Sequence, residues 1–157
     1  MVSHDSIYAT PANIIANSKA KFSKYQANPS QNQGQLRVLF VDDEPDLVIL
    51  LKLIFEQAGF KVDGYTDPLI ALSKFKTNTY DIAILDIKML GLNGLELYER
   101  LIQIDSRVIV FFLTAYEIYN EALEQLLPNL SKYYFISKPI DLSDLVRRVR
   151  TEYESLR

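Results

Sequence analysis

Apolar runs alternate along this chain with segments whose apolar residues recur at helical spacing, and this alternation limits the possible folds more than any other feature. The first, third and fourth runs are apolar almost throughout, which is typical of parallel strands covered on both faces. The five predicted strands are 36–42, 61–65, 81–86, 107–113 and 133–137. Five strand–helix units predict an α/β fold, a doubly wound flavodoxin-like parallel sheet in the order 2-1-3-4-5. An eight-fold barrel is excluded because it needs roughly 200 residues or more.

The helical segments between these strands have ordinary start and stop residues. Pro45 suits the first turn of the first helix and Gly59 its end, and Asp141 is the predicted N-cap of the last helix. The apolar residues on one face of the first helix are Leu47, Leu50, Leu51, Ile54, Phe55 and Ala58. Those of the second predicted helix, 68–77, are Leu69, Leu72 and Phe75. A fourth helix is predicted over 117–127.

The chain length of 157 residues predicts one domain over 35–157, preceded by a tail over 1–34. We expect the tail to be disordered or weakly ordered, because it contains too little apolar surface to offset the entropy of ordering. The absence of cysteine excludes disulfides and thiolate metal sites, and a net charge of −3 gives no indication of a nucleic-acid or membrane partner. Without a membrane-length apolar run or a secretory signal, a cytoplasmic location is expected.

Polar side chains follow four of the five predicted strands, at the point where each strand ends. Asp42 and Asp43 follow the first strand, Asp86 ends the third, Thr114 follows the fourth and Lys138 follows the fifth. The ligand site of such a sheet lies beyond the carboxyl ends of its strands, near the point where the strand order reverses. The sequence therefore predicts a shallow pocket in which three carboxylates, a hydroxyl and an ammonium meet.

Such a pocket favours a hard divalent cation, because clustered carboxylates repel one another and Mg²⁺ prefers oxygen ligands. We predict a site for Mg²⁺, or Mn²⁺, with Asp43 and Asp86 as direct ligands and Asp42 acting through water. Asp86 is then a carboxylate nucleophile of the kind that forms an aspartyl phosphate. The Lys138 ammonium is suited to neutralise charge on a phosphoryl group, and the Thr114 hydroxyl is suited to donate a hydrogen bond to it.

Together these motifs resemble the sequence pattern of response-regulator receiver domains, as found in stand-alone regulators of the chemotaxis type. The resemblance covers about residues 36–155 and includes the order, strand context and spacing of the motifs. The stretches that carry it are Val41–Pro45, Leu85–Met89, Asn93–Gly94, Leu113–Ala115 and Ser137–Pro139. The family implies transfer of a phosphoryl group to Asp86 from a sensor histidine kinase or a phosphotransfer protein, with Mg²⁺ required.

The resemblance also implies finer features of the site. The backbone carbonyl of Lys88 would be a further metal ligand, and the bond between Lys138 and Pro139 would be cis. Thr114 and Phe135 would form a two-state switch, in which the hydroxyl moves to the phosphoryl group and the aromatic ring turns inward. One departure is Leu90, where the family usually has proline, so the loop after Asp86 is expected to be less rigid.

The expected output is a protein–protein contact rather than direct contact with nucleic acid or membrane, because only the 34-residue tail remains outside the domain. The downstream target is unknown. The family implies a monomer or a weak dimer through the fourth predicted helix, the fifth strand and the last helix. The expected activity is that of a signalling phosphoacceptor and not of an enzyme, apart from self-catalysed phosphotransfer and dephosphorylation.

Other classes of protein fit parts of the same pattern. Asp42 and Asp43, taken alone, also suit helix caps. An aspartate-nucleophile phosphatase would need a second acid where this chain has Lys88, and a flavodoxin-like cofactor carrier would need a phosphate loop where Asp42, Asp43 and Glu44 repel phosphate. The alternative that we retain is a pseudo-receiver, an interaction module that is never phosphorylated.

Overall fold

The computed structural model describes residues 34–115 and 133–156. Five parallel strands form one sheet in the order β2-β1-β3-β4-β5, which confirms the predicted α/β fold and strand order. The strands are β1 Arg37–Val41, β2 Lys61–Tyr65, β3 Ile82–Asp86, β4 Ile109–Thr114 and β5 Tyr133–Ser137. The helices within the described ranges are α1 Pro45–Gln57, α2 Pro68–Lys74, α3 Gly94–Ile104 and α4 Leu142–Ser155. Residues 1–33 of the predicted tail and the helix predicted over 117–127 lie outside these ranges.

Two apolar clusters cover the two faces of the sheet. One cluster joins the sheet to α2 and α3, and the other joins it to α1 and α4. Alternate residues of β1 enter opposite clusters, with Leu39 and Val41 on one face and Val38 and Phe40 on the other. This burial on both faces explains why the central strands are continuous apolar runs rather than alternating ones. None of the helices in the described residues is both long and apolar enough to cross a membrane.

The helix ends are fixed by local side-chain contacts. Pro45 lies in the first turn of α1, and Gly59, with φ of 92°, follows the end of that helix. The carboxylate of Asp141 accepts hydrogen bonds from two backbone amides of α4, as predicted. Asn93 and Glu96 form a reciprocal capping box at the start of α3. The side-chain caps thus fix the amino ends of α3 and α4, whereas α1 begins with Pro45 and without a side-chain cap.

Two of the predicted helix faces were wrong in part. The second helix ends at Lys74 instead of residue 77, and Leu69 is 56% exposed while Ala71 is buried in its place. Pro68 and Ala71 are the buried residues of this short helix, and Leu72 packs against the same core cluster, whereas Leu69 and Ile70 face outward. In α1 the predicted face omitted Val48, which is buried because it packs over Gly64 of β2. A β-carbon on Gly64 would lie 2.6 Å from the Val48 Cγ1 atom.

Candidate functional site

Three carboxylates meet at the carboxyl ends of the two central strands. Asp42 and Asp43 follow β1, and Asp86 is the last residue of the neighbouring strand β3. One carboxylate oxygen from each residue lies within 4.8 Å of the other two. Asp42 is fully buried and Asp86 is almost so, whereas Asp43 is exposed. The structure thus brings together the three acids that the sequence predicted, with an opening to solvent on the side of Asp43.

The ammonium group of Lys138 lies among these acids. Its Nζ atom donates a hydrogen bond to Asp42 Oδ2 at 2.7 Å and lies 3.6 Å from Asp86 Oδ1. Glu44 Oε1 lies 3.5 Å from the same Nζ atom. The other Asp42 oxygen, Oδ1, accepts the backbone N–H of Glu44 at 3.0 Å. Asp42 is therefore held by both of its oxygens before any ligand binds.

This arrangement leaves Asp86 in an unfavourable electrostatic position. Burial raises the pKa of the Asp86 carboxyl to about 6, the negative charges of Asp42 and Asp43 add to this effect, and Lys138 opposes it. Burial by itself lowers the pKa of Lys138, but its hydrogen bond to Asp42 and the surrounding negative charges raise it overall. The carboxylates of the pocket therefore carry more negative charge than the Lys138 ammonium compensates. This excess favours the binding of a metal cation.

The loop after Asp86 is anchored by buried apolar side chains. Ile87, Met89 and Leu92 are 7 to 8% exposed and belong to the cluster under α2 and α3. Leu90, which replaces the proline typical of the pattern, is 89% exposed. The departure from the pattern therefore lies at a solvent-facing position between anchored residues. Lys88, whose carbonyl was predicted to bind metal, lies inside this anchored stretch.

Thr114 and Lys138 reach the pocket from adjacent strands. Thr114 ends β4, is 3% exposed, and lies one residue beyond Leu113, the partner of Asp86 in the sheet register. The backbone N–H of Lys138 donates to the Thr114 carbonyl at 2.6 Å. The peptide bond between Lys138 and Pro139 is cis, as expected. The structure thus places the predicted hydroxyl at the strand end beside Asp86 and the predicted ammonium within reach of its carboxylate.

Phe135 of β5 belongs to an aromatic row on the face of the sheet that α3 covers. Its ring stacks on Phe112 with centroids 5.1 Å apart, and Phe112 meets Tyr98 edge-on at 5.7 Å. Phe135 is partly buried in this arrangement. The row links the neighbourhood of Lys138 to α3 through the interior of the domain.

Two features of the site were not assigned from the sequence. Glu44 was noted at the end of the first strand but received no role, although it shares Lys138 with Asp42. The direct hydrogen bond from Lys138 Nζ to Asp42 Oδ2 was not assigned either. The contact joins residues that are 96 positions apart, so no local pattern reports it.

Comparison with known proteins agrees with this geometry. The family model described as the response regulator receiver domain matches residues 38–150. The transcriptional regulatory protein TrcR of Mycobacterium tuberculosis is 34% identical over 115 residues, which make up 73% of this chain and 44% of TrcR. The transcriptional regulatory protein CseB of Streptomyces avermitilis is 35% identical over 116 residues, or 74% of this chain and 48% of CseB. The chain thus spans about half the length of these relatives.

Solved structures of similar fold point the same way. A CheY-like receiver domain protein of Methanospirillum hungatei has a TM-score of 0.69 at 23% identity and covers 78% of this chain and 96% of that one, a likeness of fold alone. TrrA of Thermotoga maritima, solved with Mg²⁺ and BeF, has a TM-score of 0.64 at 30% identity and covers 75% of this chain and 99% of that one. Since the family model matches well over half of the sequence, the chain belongs to the family of response regulator receiver domains.

Proposed function

We propose that this receiver domain accepts a phosphoryl group on Asp86 from the phosphohistidine of a sensor histidine kinase or a phosphotransfer protein. The observation that carries the proposal is the meeting of Asp42, Asp43 and Asp86 within 4.8 Å of one another, with Lys138 Nζ 3.6 Å from Asp86. Asp86 has a pKa of about 6 and is therefore mainly ionised near pH 7, as a nucleophile must be. The acids follow or end the neighbouring strands β1 and β3, and Lys138 follows β5, which only β4 separates from β3, so the nucleophile and its partners are held in place by the fold itself.

The donor set fits Mg²⁺ or Mn²⁺. The carboxylates of the cluster offer oxygen ligands, and burial together with the charges of Asp42 and Asp43 raises the pKa of Asp86, an unfavourable position that a divalent cation would relieve. Asp43 and Asp86 would bind the cation directly, together with the carbonyl of Lys88, and Asp42 would act through water. When bound, the cation supplies positive charge against the phosphoryl oxygens. The relative TrrA was solved with Mg²⁺ and BeF, which supports the same assignment for this chain.

The transfer is a displacement at phosphorus. An Asp86 carboxylate oxygen forms the new O–P bond while the P–N bond of the donor imidazole breaks, and the departing nitrogen takes its proton from solvent. Lys138, now bonded to Asp42, lies close enough to Asp86 to exchange that bond for one with a phosphoryl oxygen. The Thr114 hydroxyl donates to another phosphoryl oxygen. The domain therefore acts as a signalling phosphoacceptor with no substrate to turn over.

Signalling follows from the movement of Thr114. Its displacement toward the phosphoryl group changes the space beside Phe135, whose ring is stacked in the aromatic row of β4 and α3. The face formed by β5 and α4 is then presented to a protein partner or to a second copy in a weak dimer. We expect the target to be a protein rather than nucleic acid, because the net charge of the chain is −3.

The test is intact-mass spectrometry after incubation with acetyl phosphate and Mg²⁺. The wild-type chain is expected to gain the mass of one phosphoryl group, and Asp86→Asn is expected to gain none, since an amide nitrogen is not a nucleophile here. Asp144→Asn, which alters an exposed carboxylate of α4, is the matched control and should behave as wild type. Equal phosphorylation of Asp86→Asn would refute the assignment, and an unreactive wild type would favour the pseudo-receiver.

A further inference from the structure

The start of helix α3 lies directly against the peptide that follows Asp86. A β-carbon built on Gly94 would lie 2.1 Å from the Asp86 carbonyl oxygen and 2.9 Å from both the Asp86 carbonyl carbon and the Ile87 Cα atom. All three atoms belong to the backbone, so no side-chain rotation relieves the overlap. The Gly94 N–H also donates to the Ile87 carbonyl at 2.9 Å. The contact therefore joins α3 to the backbone of the phosphoacceptor itself.

The loop between these two points is anchored at several positions. Ile87, Met89 and Leu92 are buried in the core, and the capping box of Asn93 and Glu96 fixes the first turn of α3. In the capping box, Asn93 Oδ1 accepts the Glu96 N–H at 2.9 Å, and Glu96 Oε2 accepts the Asn93 N–H at 3.0 Å. A displacement of α3 away from Asp86 is therefore transmitted through a short, well-anchored segment rather than absorbed by it.

From these contacts we infer that Gly94 is a positioning residue for the phosphoacceptor site. The absence of a side chain at Gly94 lets α3 seat against the Asp86–Ile87 peptide, which sets the direction of the Asp86 carboxylate and of the Lys88 carbonyl. This inference rests on the proposed function, because it concerns the geometry of the metal and phosphoryl site. It adds a residue that touches neither the cation nor the phosphoryl group.

The test compares Gly94→Ala with Gly64→Ala, a second glycine that is tightly packed. A β-carbon on Gly64 meets only the side chain and, at 3.9 Å, the carbonyl of Val48, so Val48→Ala should rescue that variant. Mg²⁺ affinity is measured by titration of tyrosine fluorescence, and the phosphorylation rate is measured with acetyl phosphate. Both are recorded at a temperature at which urea unfolding shows each variant to be fully folded.

We expect Gly94→Ala to lower Mg²⁺ affinity and phosphorylation rate by about 10- to 100-fold, the range typical of residues that orient metal ligands. Gly64→Ala, with or without Val48→Ala, should change both by less than about twofold, because it disturbs packing remote from the loop. If both glycine variants lost Mg²⁺ affinity and phosphorylation rate equally, general destabilisation would explain the losses and the inference would be overturned. Wild-type values in Gly94→Ala would overturn it as well.

A second variant, Asn93→Ala, and the amide chemical shifts of the loop test the same role of the α3 start. Should Gly94→Ala not fold, Asn93→Ala loosens the same helix start and should show smaller losses in the same direction; unchanged values would overturn the inference. Should the wild type take neither metal nor phosphate, the proposed function has failed. The backbone amide chemical shifts of Ile87 and Lys88 then decide, since unchanged shifts in Gly94→Ala contradict a positioning role.

Discussion

The pKa of an aspartate is shifted in opposite directions at the two ends of the parallel sheet. At the amino end, Asp105 accepts two hydrogen bonds from the guanidinium of Arg107, at 2.9 and 3.0 Å, and one from the Asn78 N–H at 2.8 Å. These bonds lower the pKa of the Asp105 carboxyl to about 2. At the carboxyl end, Asp86 shares the Lys138 ammonium with other acids, and burial and their charges raise its pKa to about 6.

Under the proposed function, this difference distinguishes a carboxylate that stabilises the fold from one whose charge a ligand would stabilise. A carboxylate with its own guanidinium favours the folded state and has no affinity left for another cation. A carboxylate crowded by like charges costs folding free energy, and it becomes favourable only when a cation or a phosphoryl group with its cation arrives. Such local unfavourable arrangements are common at functional sites.

The largest expected effect comes from removing the ammonium group of Lys138, which Asp42 and Asp86 share. Lys138→Met should lower the free energy of unfolding by about 3 kcal/mol in the absence of divalent metal, because it leaves the fully buried Asp42 carboxylate without its charged partner. Arg107→Met is the matched change at the other end. It should cost much less, since Asp105 keeps two backbone N–H donors, those of Asn78 and residue 107. Urea unfolding with a chelator measures both; equal losses would remove the distinction between the two ends.

The next effect concerns the cation that the acid cluster is expected to bind. Asp43→Ala should weaken Mg²⁺ binding by on the order of 100-fold, because one of the proposed direct ligands is lost. Asp46→Ala removes the same charge three residues later, from an exposed position in the first turn of α1. It should change the affinity only slightly. Titration of tyrosine fluorescence gives both constants, and equal affinities for the two variants would exclude Asp43 as a ligand.

The fold could be predicted from the sequence because strands that are buried on both faces of the sheet are continuous apolar runs. The continuous apolar runs of β1, β3 and β4 identified the central strands, and the polar residues at their ends identified Asp42, Asp86 and Thr114 as pocket residues. The inward face of α2 was predicted correctly at Leu72 and Phe75 but wrongly at Leu69, since a seven-residue helix offers less than two turns of periodicity. Val48 was missed because its space is provided by Gly64 of another strand.

The partnerships inside the site were harder to predict than its composition. The sequence placed Asp42 and Lys138 at the same edge of the sheet, after β1 and β5, but which oxygen the ammonium bonds depends on side-chain directions that no spacing rule contains. The same holds for Gly94, whose motif was recognised while its contact with the Asp86 backbone was not. The sheet topology determines which residues lie at the strand ends, whereas side-chain packing determines which of their atoms are in contact.

A smaller effect is expected from the charge of Asp86 itself. A carboxyl whose pKa is raised from 3.8 to about 6 in the folded state costs stability as the pH rises through that value. Asp86→Asn removes this cost and should raise the free energy of unfolding by about 1 to 2 kcal/mol above pH 7 without metal, after allowance for screening by water at the pocket mouth. The gain should vanish below pH 4. A variant less stable than wild type at pH 7.5, measured by urea unfolding with a chelator, would contradict the proposed charge excess.

The smallest effect is expected for Asp105→Asn, at the amino end of the sheet, where the substitution should lower the free energy of unfolding instead of raising it. The pKa of Asp105 is lowered to about 2, so its contribution to stability is complete above the unfolded value near 4 and is lost as the pH falls toward 2. Asp105→Asn should therefore be less stable than wild type at pH 7, by at most about 1 kcal/mol because Arg107 is largely exposed to water. That deficit should shrink between pH 4 and pH 2.5 in urea titrations, whereas the Asp86→Asn difference should already be absent there. If the Asp105→Asn deficit were independent of pH, its cause would be lost packing rather than lost charge, and the electrostatic contrast between the two ends would rest on Asp86 alone.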